Sequence, residues 1–252
     1  MLARVIDDLV AEEAALAMLL LALAPEQWDL PTPSPGWAVR DQIAHLAVAE
    51  DLATLAATDS AAFAARLTQL MGDLDAVETD QAREARDHTP DELLTWWTTS
   101  AATTVDAVRR RPEGERIGWI TGPMSAVSFA TARLMETWAH GHDVAVALGG
   151  EPEPTARLRH IADLGVRTRG FSFRNRGLPA PDVEPRVELA APDGDLWAWG
   201  PADAPERVEG DALDFCLVVT QRRNVTDTAL KATGAGAQAW MAIAQCFAGP
   251  PT

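Results

Sequence analysis

The chain has 252 residues, 47% of them apolar, and carries a formal net charge of −16 from 21 basic and 37 acidic side chains. Such an acidic chain argues against nucleic acid and anionic membranes as partners, since both demand clustered positive charge. Two cysteines, Cys216 and Cys246, are too few for a disulfide framework or a thiolate zinc site, and both read as small buried hydrophobes.

The start carries Asp7, Asp8, Glu12 and Glu13 rather than a basic leader, and the apolar run 14–24 is about half the roughly 20 residues of a membrane span. The expected location is cytoplasmic. No tyrosine is present, so no phenol can act as acid, base or nucleophile. Lys231 is the sole lysine, which with the abundant alanine suggests a GC-rich bacterial genome.

Residues 2–24 place Val5, Leu9, Leu16, Leu20 and Leu23 at helical spacing, and Pro25 stops the helix. Trp28 and the proline-rich segment 31–37 make a stiff connector. A second helix is expected from about Ala38 to Thr58, apolar on two sides, which places His45 in the interior. Residues 59–89 alternate apolar and charged side chains and give at best a loose helix and connection. Thr89-Pro90-Asp91-Glu92 opens a third long helix to about Arg110, and 118–123 is a turn-rich link. The fourth long helix covers Met124 to Leu148, closed by Gly149-Gly150. Four such helices make an antiparallel bundle.

After Glu151-Pro152-Glu153-Pro154 the pattern changes. A helix is expected from Thr155 to about Arg169. A hairpin is expected from Val187–Ala190 and Asp195–Trp199 around Pro192-Asp193-Gly194. A further strand before Gly210 and helices over 211–221 and 237–247 complete a small α+β domain. The expected organisation is a helical bundle over 1–152 and the α+β domain over 153–252, in a mainly α, α+β fold class.

The fourth helix holds the chemistry. Glu136 and His140 are four residues apart, one above the other on one face, and can grip one metal ion. Asp143 shares their sector and can orient a polar group. His142 falls more than about 120° away and is not part of the pair. His45 on the second helix is the best candidate for a third ligand, because facing helices of a bundle supply ligands to a common interior site. A satisfied core histidine is the competing reading of His45. Trp37 and Trp138, near these residues in sequence, are candidate walls of a cofactor pocket.

Two stretches resemble a known family. Trp28 to Leu46, with Asp41-Gln42-Ile43-Ala44-His45-Leu46 as "D-x-x-x-H-L", resembles the second-helix entry of the DinB-like, mycothiol-dependent maleylpyruvate isomerase superfamily. Glu136 to Asp143 resembles its "E-x-x-x-H-x-x-D" on the last bundle helix. The resemblance implies His45, Glu136 and His140 as metal ligands, zinc or another divalent ion as the metal, and mycothiol as a thiol cosubstrate. It implies that an arginine of the second domain helps the reaction, for which Arg222 and Arg223 are candidates.

A metal-bound thiol is deprotonated, which supplies a nucleophile without a protein cysteine. The expected function is therefore a metal-dependent thiol addition, S-transfer or isomerisation on a small electrophile. The six arginines between Arg157 and Arg176 can attract an anionic substrate, or serve as a solvated basic helix. Two alternatives stay open: a thiol-independent metal isomerase, cyclase or hydrolase, and a non-catalytic metal- and ligand-binding bundle. The oligomeric state is open as well, a homodimer among the options.

Overall fold

The structure is a computed structural model that describes residues 1–72, 74–112 and 114–249, the side chains of 74–80 excepted. The chain divides into two compact units, Met1–Pro152 and Glu153–Thr252. The class is mainly α, α+β, and no helix among the described residues is long and apolar enough to cross a membrane.

The first unit is built on four long helices: α1 (Leu2–Leu21), α2 (Val39–Thr58), α5 (Pro90–Arg109) and α6 (Ala126–Ala147). Helix α2 lies along α5, α1 along α6, and α2 also meets α6. The shared core includes Leu16, Leu20, Trp28, Ile43, Leu46, Leu93, Trp97 and Val144. These residues recur at helical spacing, so each helix turns a continuous apolar stripe inward.

The helix starts are chemically marked. Thr89 Oγ1 accepts from the Glu92 backbone N–H at 3.3 Å, and the Glu92 carboxylate accepts from the Thr89 N–H at 2.8 Å, a reciprocal box that starts α5. Asp41 accepts from the Ala38 N–H at 2.8 Å and starts α2. Ser125 caps α6 by accepting from Ser128 N–H at 3.1 Å.

Two expectations need correction here. Residues 59–89 are two further helices, α3 (Ser60–Gly72) and α4 (Leu74–Asp87), rather than a loose connection. Helix α4 carries few apolar residues. It docks on α2 through the fully buried Ala85, whose carbonyl accepts from Arg40 Nη1 at 3.1 Å. A small-residue and polar contact of this kind leaves almost no apolar period to read. The segment around 118–123 is the turn of a short hairpin, β1 (Arg116–Ile117) and β2 (Met124–Ser125), so α6 begins at Ala126 rather than Met124.

The bundle interior also holds charge. Arg133 on α6 and Glu50 on α2 form an ion pair at 2.8 Å, with side chains 3% and 1% exposed. Glu13 on α1 stands beside them. Burial and then the Glu50 charge push the Glu13 carboxyl up from 4.5 to about 8, against the opposing pull of Arg133 and Arg109. The folded chain therefore keeps a proton that the unfolded chain gives up from about 4.5 upward. Stability should fall as pH rises from there to about 8 and level off beyond. Glu13→Gln should remove that slope, its gain over the parent growing through this window in urea unfolding series. Parallel pH profiles for the two proteins would contradict it.

The second unit begins with α7 (Leu158–Arg167) and α8 (Arg169–Arg174). A four-stranded sheet follows, made of β3 (Arg186–Ala190), β4 (Leu196–Trp199), β5 (Arg207–Asp211) and β6 (Lys231–Thr233), in the order β4-β3-β5-β6. The β3–β4 hairpin is antiparallel, as its turn chemistry predicts, with Gly194 at φ +89°. Strand β5 runs parallel to β3 and antiparallel to β6. Helix α9 (Ala212–Val219) packs on α7 where Gly165 leaves room for Phe215 and Val219. Helix α10 (Ala235–Met241) is shorter than the expected 237–247 helix, because Gln245 is instead tied to Ser172, its N–H donating to Ser172 Oγ at 3.0 Å. Strand β6, only three residues long, is an addition to the expected elements.

Candidate metal centre

The site is set by how α2 begins. Residues 31–38 form a closed loop: the Thr32 N–H donates to Trp37 O at 2.8 Å, the Trp37 N–H to Ser34 O at 3.0 Å, and Pro31 bridges Ala38. Gly36 takes φ +81°, a left-handed turn suited to glycine. This loop places Trp37 just before α2, ahead of His45.

Helix α2 carries His45, and α6 carries Glu136 and His140. Their ligand atoms all lie within 4.8 Å of one another. His140 Nε2 stands 3.3 Å from Glu136 Oε2, and His45 Nε2 stands 3.9 Å from the same oxygen. The two imidazole rings are 4.6 Å apart between centroids. Donors held by one ion at about 2.1 Å in a tetrahedron stand roughly 3.4 Å apart, so this spacing fits a zinc-sized ion. His140 is 9% exposed at its side chain, Glu136 22% and His45 31%, so the group opens to solvent on the His45 side.

The electrostatics favour a cation. Burial raises the Glu136 carboxyl pKa, but hydrogen bonds from His140 and His45, with the charges of His140 and Arg133, outweigh it and hold the group well below the usual carboxylate value. Glu136 is thus ionised at neutral pH. Two imidazoles and a carboxylate would give a zinc ion three ligands and leave a fourth position open, the arrangement of catalytic rather than structural zinc.

The other candidates are distributed as follows. The Trp37 ring lies 5.3 Å from His45 and 6.1 Å from His140, stacked on the latter. Trp138 is buried and its ring lies 5.8 Å from His142, on another side of α6. Asp143 accepts from Ser34 Oγ at 3.2 Å, which pins the connector loop to α6. Arg222 and Arg223 follow α9 in the second unit. Arg222 Nη1 donates to Thr220 O at 2.8 Å, and Arg223 pairs with Asp214 at 3.1 Å. The basic run of α7 and α8 is engaged locally: Arg159 lies over Trp197 and Trp199, Arg167 pairs with Asp163, and Arg169 donates to Pro181 O and Val183 O.

Two contacts have no counterpart in the sequence reading. Gln42 Oε1 lies 2.5 Å from His140 Nδ1, and Gln81 Oε1 lies 3.2 Å from His45 Nδ1. Gln42 is wholly buried. Its signal was a polar residue set among Val39, Ile43 and Leu46, one turn ahead of His45.

The fold and this site define a helical bundle with two histidines and one carboxylate placed where they could hold a metal ion. A family model described as the mycothiol maleylpyruvate isomerase N-terminal domain matches residues 9–145, and the chain belongs to that family. A second model, described as wyosine base formation, matches residues 181–233, the span of the sheet. Two proteins of Mycobacterium tuberculosis, from strains CDC 1551 and H37Rv and both described as uncharacterized, are each 46% identical over 246 residues, covering 98% of this chain and 96% of theirs. The crystal structure of the mycothiol-dependent maleylpyruvate isomerase superposes with a TM-score of 0.57 at 16% identity, over 92% of each chain. A histidine-to-alanine mutant of that enzyme gives 0.56 at 17% identity, over 88% of this chain and 90% of its own.

Proposed function

We propose that the protein is a metal-dependent enzyme that uses a thiol cosubstrate, mycothiol in the first instance, to add to, transfer to or isomerise a small electrophile. The convergence of His45, Glu136 and His140 on one point carries the reading. Zinc is the ion that the donor set suits best. A divalent ion held there lowers the pKa of a bound thiol, so that the thiolate is present at neutral pH.

The chain's own residues do the rest. His45 and His140 offer neutral nitrogen donors, and Glu136 supplies the negative charge. The Trp37 ring covers one side of the pair and narrows the approach to it. The protein brings no thiol of its own: Cys216 and Cys246 are buried in the second unit, and burial pushes the Cys216 thiol well above its ordinary value. An incoming thiol fits that gap. Addition of a thiolate to an electron-poor alkene opens the double bond to rotation, and loss of the thiolate restores it, which is net isomerisation.

The test is a turnover assay with zinc-loaded protein, mycothiol and an electron-poor cis-alkene acid such as maleylpyruvate. Product should form only with thiol and metal together. Turnover unchanged without the thiol would sink the thiol reading and leave a thiol-independent metal reaction.

A further inference from the structure

We propose that Gln42 and Gln81 are positioning residues, which fix a ring proton of His140 and His45 on Nδ1 and so reserve Nε2, the atom beside Glu136, for an ion. This rests on the metal-binding reading above and adds to it two residues that touch no ion.

The hydrogen bonds around Gln42 leave one consistent assignment. The Thr32 hydroxyl has a single proton, and Oγ1 lies 2.9 Å from Trp37 O, an atom that only accepts. The proton goes there, so Thr32 Oγ1 accepts from the Gln42 amide Nε2 at 2.8 Å. That orients the amide and turns Oε1 toward His140 Nδ1, at 2.5 Å. A carbonyl oxygen only accepts, so Nδ1 carries the ring proton. With Nδ1 committed, Nε2, 3.3 Å from Glu136 Oε2, is the atom that donates to the carboxylate here and would give up its proton to coordinate an ion.

The opposite tautomer fails twice. It sets a bare Nδ1 against a carbonyl oxygen, and a proton where an ion would sit. Gln42 is 0% exposed, so water does not substitute readily for its carbonyl.

The same arrangement recurs at the other histidine. Gln81 on α4 places Oε1 3.2 Å from His45 Nδ1, and His45 Nε2 points to the same Glu136 oxygen. Each histidine thus meets a glutamine carbonyl on its outer side and the carboxylate on its inner side. This gives α4, which supplies no ligand among its described residues, a part in the site. Residues that orient ligating histidines typically carry about 10–100-fold of metal affinity.

The experiment uses the full chain, as the parent protein and as Gln42→Met, Gln42→Glu and Gln81→Met. Zinc affinity is read by competition with a chromophoric chelator, and ligand geometry by the visible spectrum of the cobalt-loaded protein. Gln42→Met should bind zinc about 10–100-fold more weakly and shift the cobalt spectrum. Gln42→Glu should keep both, since a carboxylate also accepts from Nδ1–H. Gln81→Met should fall in the same direction by less, being half-buried.

Parental affinity and spectrum in a folded Gln42→Met would overturn the proposal. So would a folded Gln42→Glu as weak as Gln42→Met, since packing rather than an acceptor would then be what Gln42 supplies. If Gln42→Met does not fold, Gln42→Glu and Gln81→Met decide, with parental behaviour in Gln81→Met and loss in Gln42→Glu the overturning pair. A parent that takes up no zinc is a separate result, which removes the metal reading itself.

Discussion

His45→Ala is expected to strip the metal and the thiol-dependent turnover together while the bundle stays folded. His45 is 31% exposed at its side chain, with Trp37, His140 and Gln81 beside it, so its removal opens little interior space. What it does remove is one of three converging donors. The loss of zinc affinity should exceed the roughly 10–100-fold expected of residues that merely orient a ligand. Glu136→Gln should do the same with almost no change of shape, because it deletes the charge and keeps the volume. The three ligands act as a unit, so His45→Ala with His140→Ala should be little worse than either alone. Metal content by emission spectroscopy, melting temperature and turnover measured on the same preparations check this. Full zinc occupancy in His45→Ala would show that His45 is a half-buried histidine that only faces Glu136.

The parts of this site that periodicity could expose were those set by one helix. Glu136 and His140 are one turn apart on α6, and any regular helix puts them on one face. Bringing His45 to them takes the crossing of α2 with α6, which no local pattern encodes; there the family motif around Asp41 and His45 supplied what spacing could not. Gln42 shows the limit more sharply. A glutamine on a helix reads as surface, and only the closed loop over 31–38, which turns Thr32 toward it, makes it a buried hydrogen-bonding residue. Helix α4 was illegible for a related reason. Its identified dockings to α2 are an alanine, a backbone carbonyl and an amide rather than an apolar stripe.

In the second unit the hairpin was legible from Pro192-Asp193-Gly194. Its pairing with β5 was not, because a parallel ladder between strands separated by β4 depends on tertiary geometry rather than on a turn.

Arg133→Met is expected to destabilise the first unit by about 3–5 kcal/mol, the range for removing one partner of a buried ion pair. The guanidinium reaches one oxygen of Glu50 with both Nε and Nη2, each at 2.8 Å. The other oxygen, Glu50 Oε2, has no hydrogen-bond partner among the described residues. Arg133 is the cation paired with Glu50 among the described residues, and without it a carboxylate that is 1% exposed loses its compensating charge. Glu13 does not replace the lost charge balance, since burial and Glu50 already keep its carboxyl protonated near pH 7. Removing the arginine leaves the Glu50 carboxylate beside a protonated Glu13 in the interior. The double variant Glu50→Met/Arg133→Met should recover most of the loss, because a volume-matched apolar pair removes the charge that the single variant strands. Adding Glu13→Gln to Arg133→Met should recover part of it by removing a carboxyl that must take up a proton to stay buried. Urea unfolding of the four proteins near pH 7 reads the coupling directly. A loss below about 1 kcal/mol in Arg133→Met would mean that Glu50 finds water or a proton in place of the arginine, and that the pair does not hold α2 against α6.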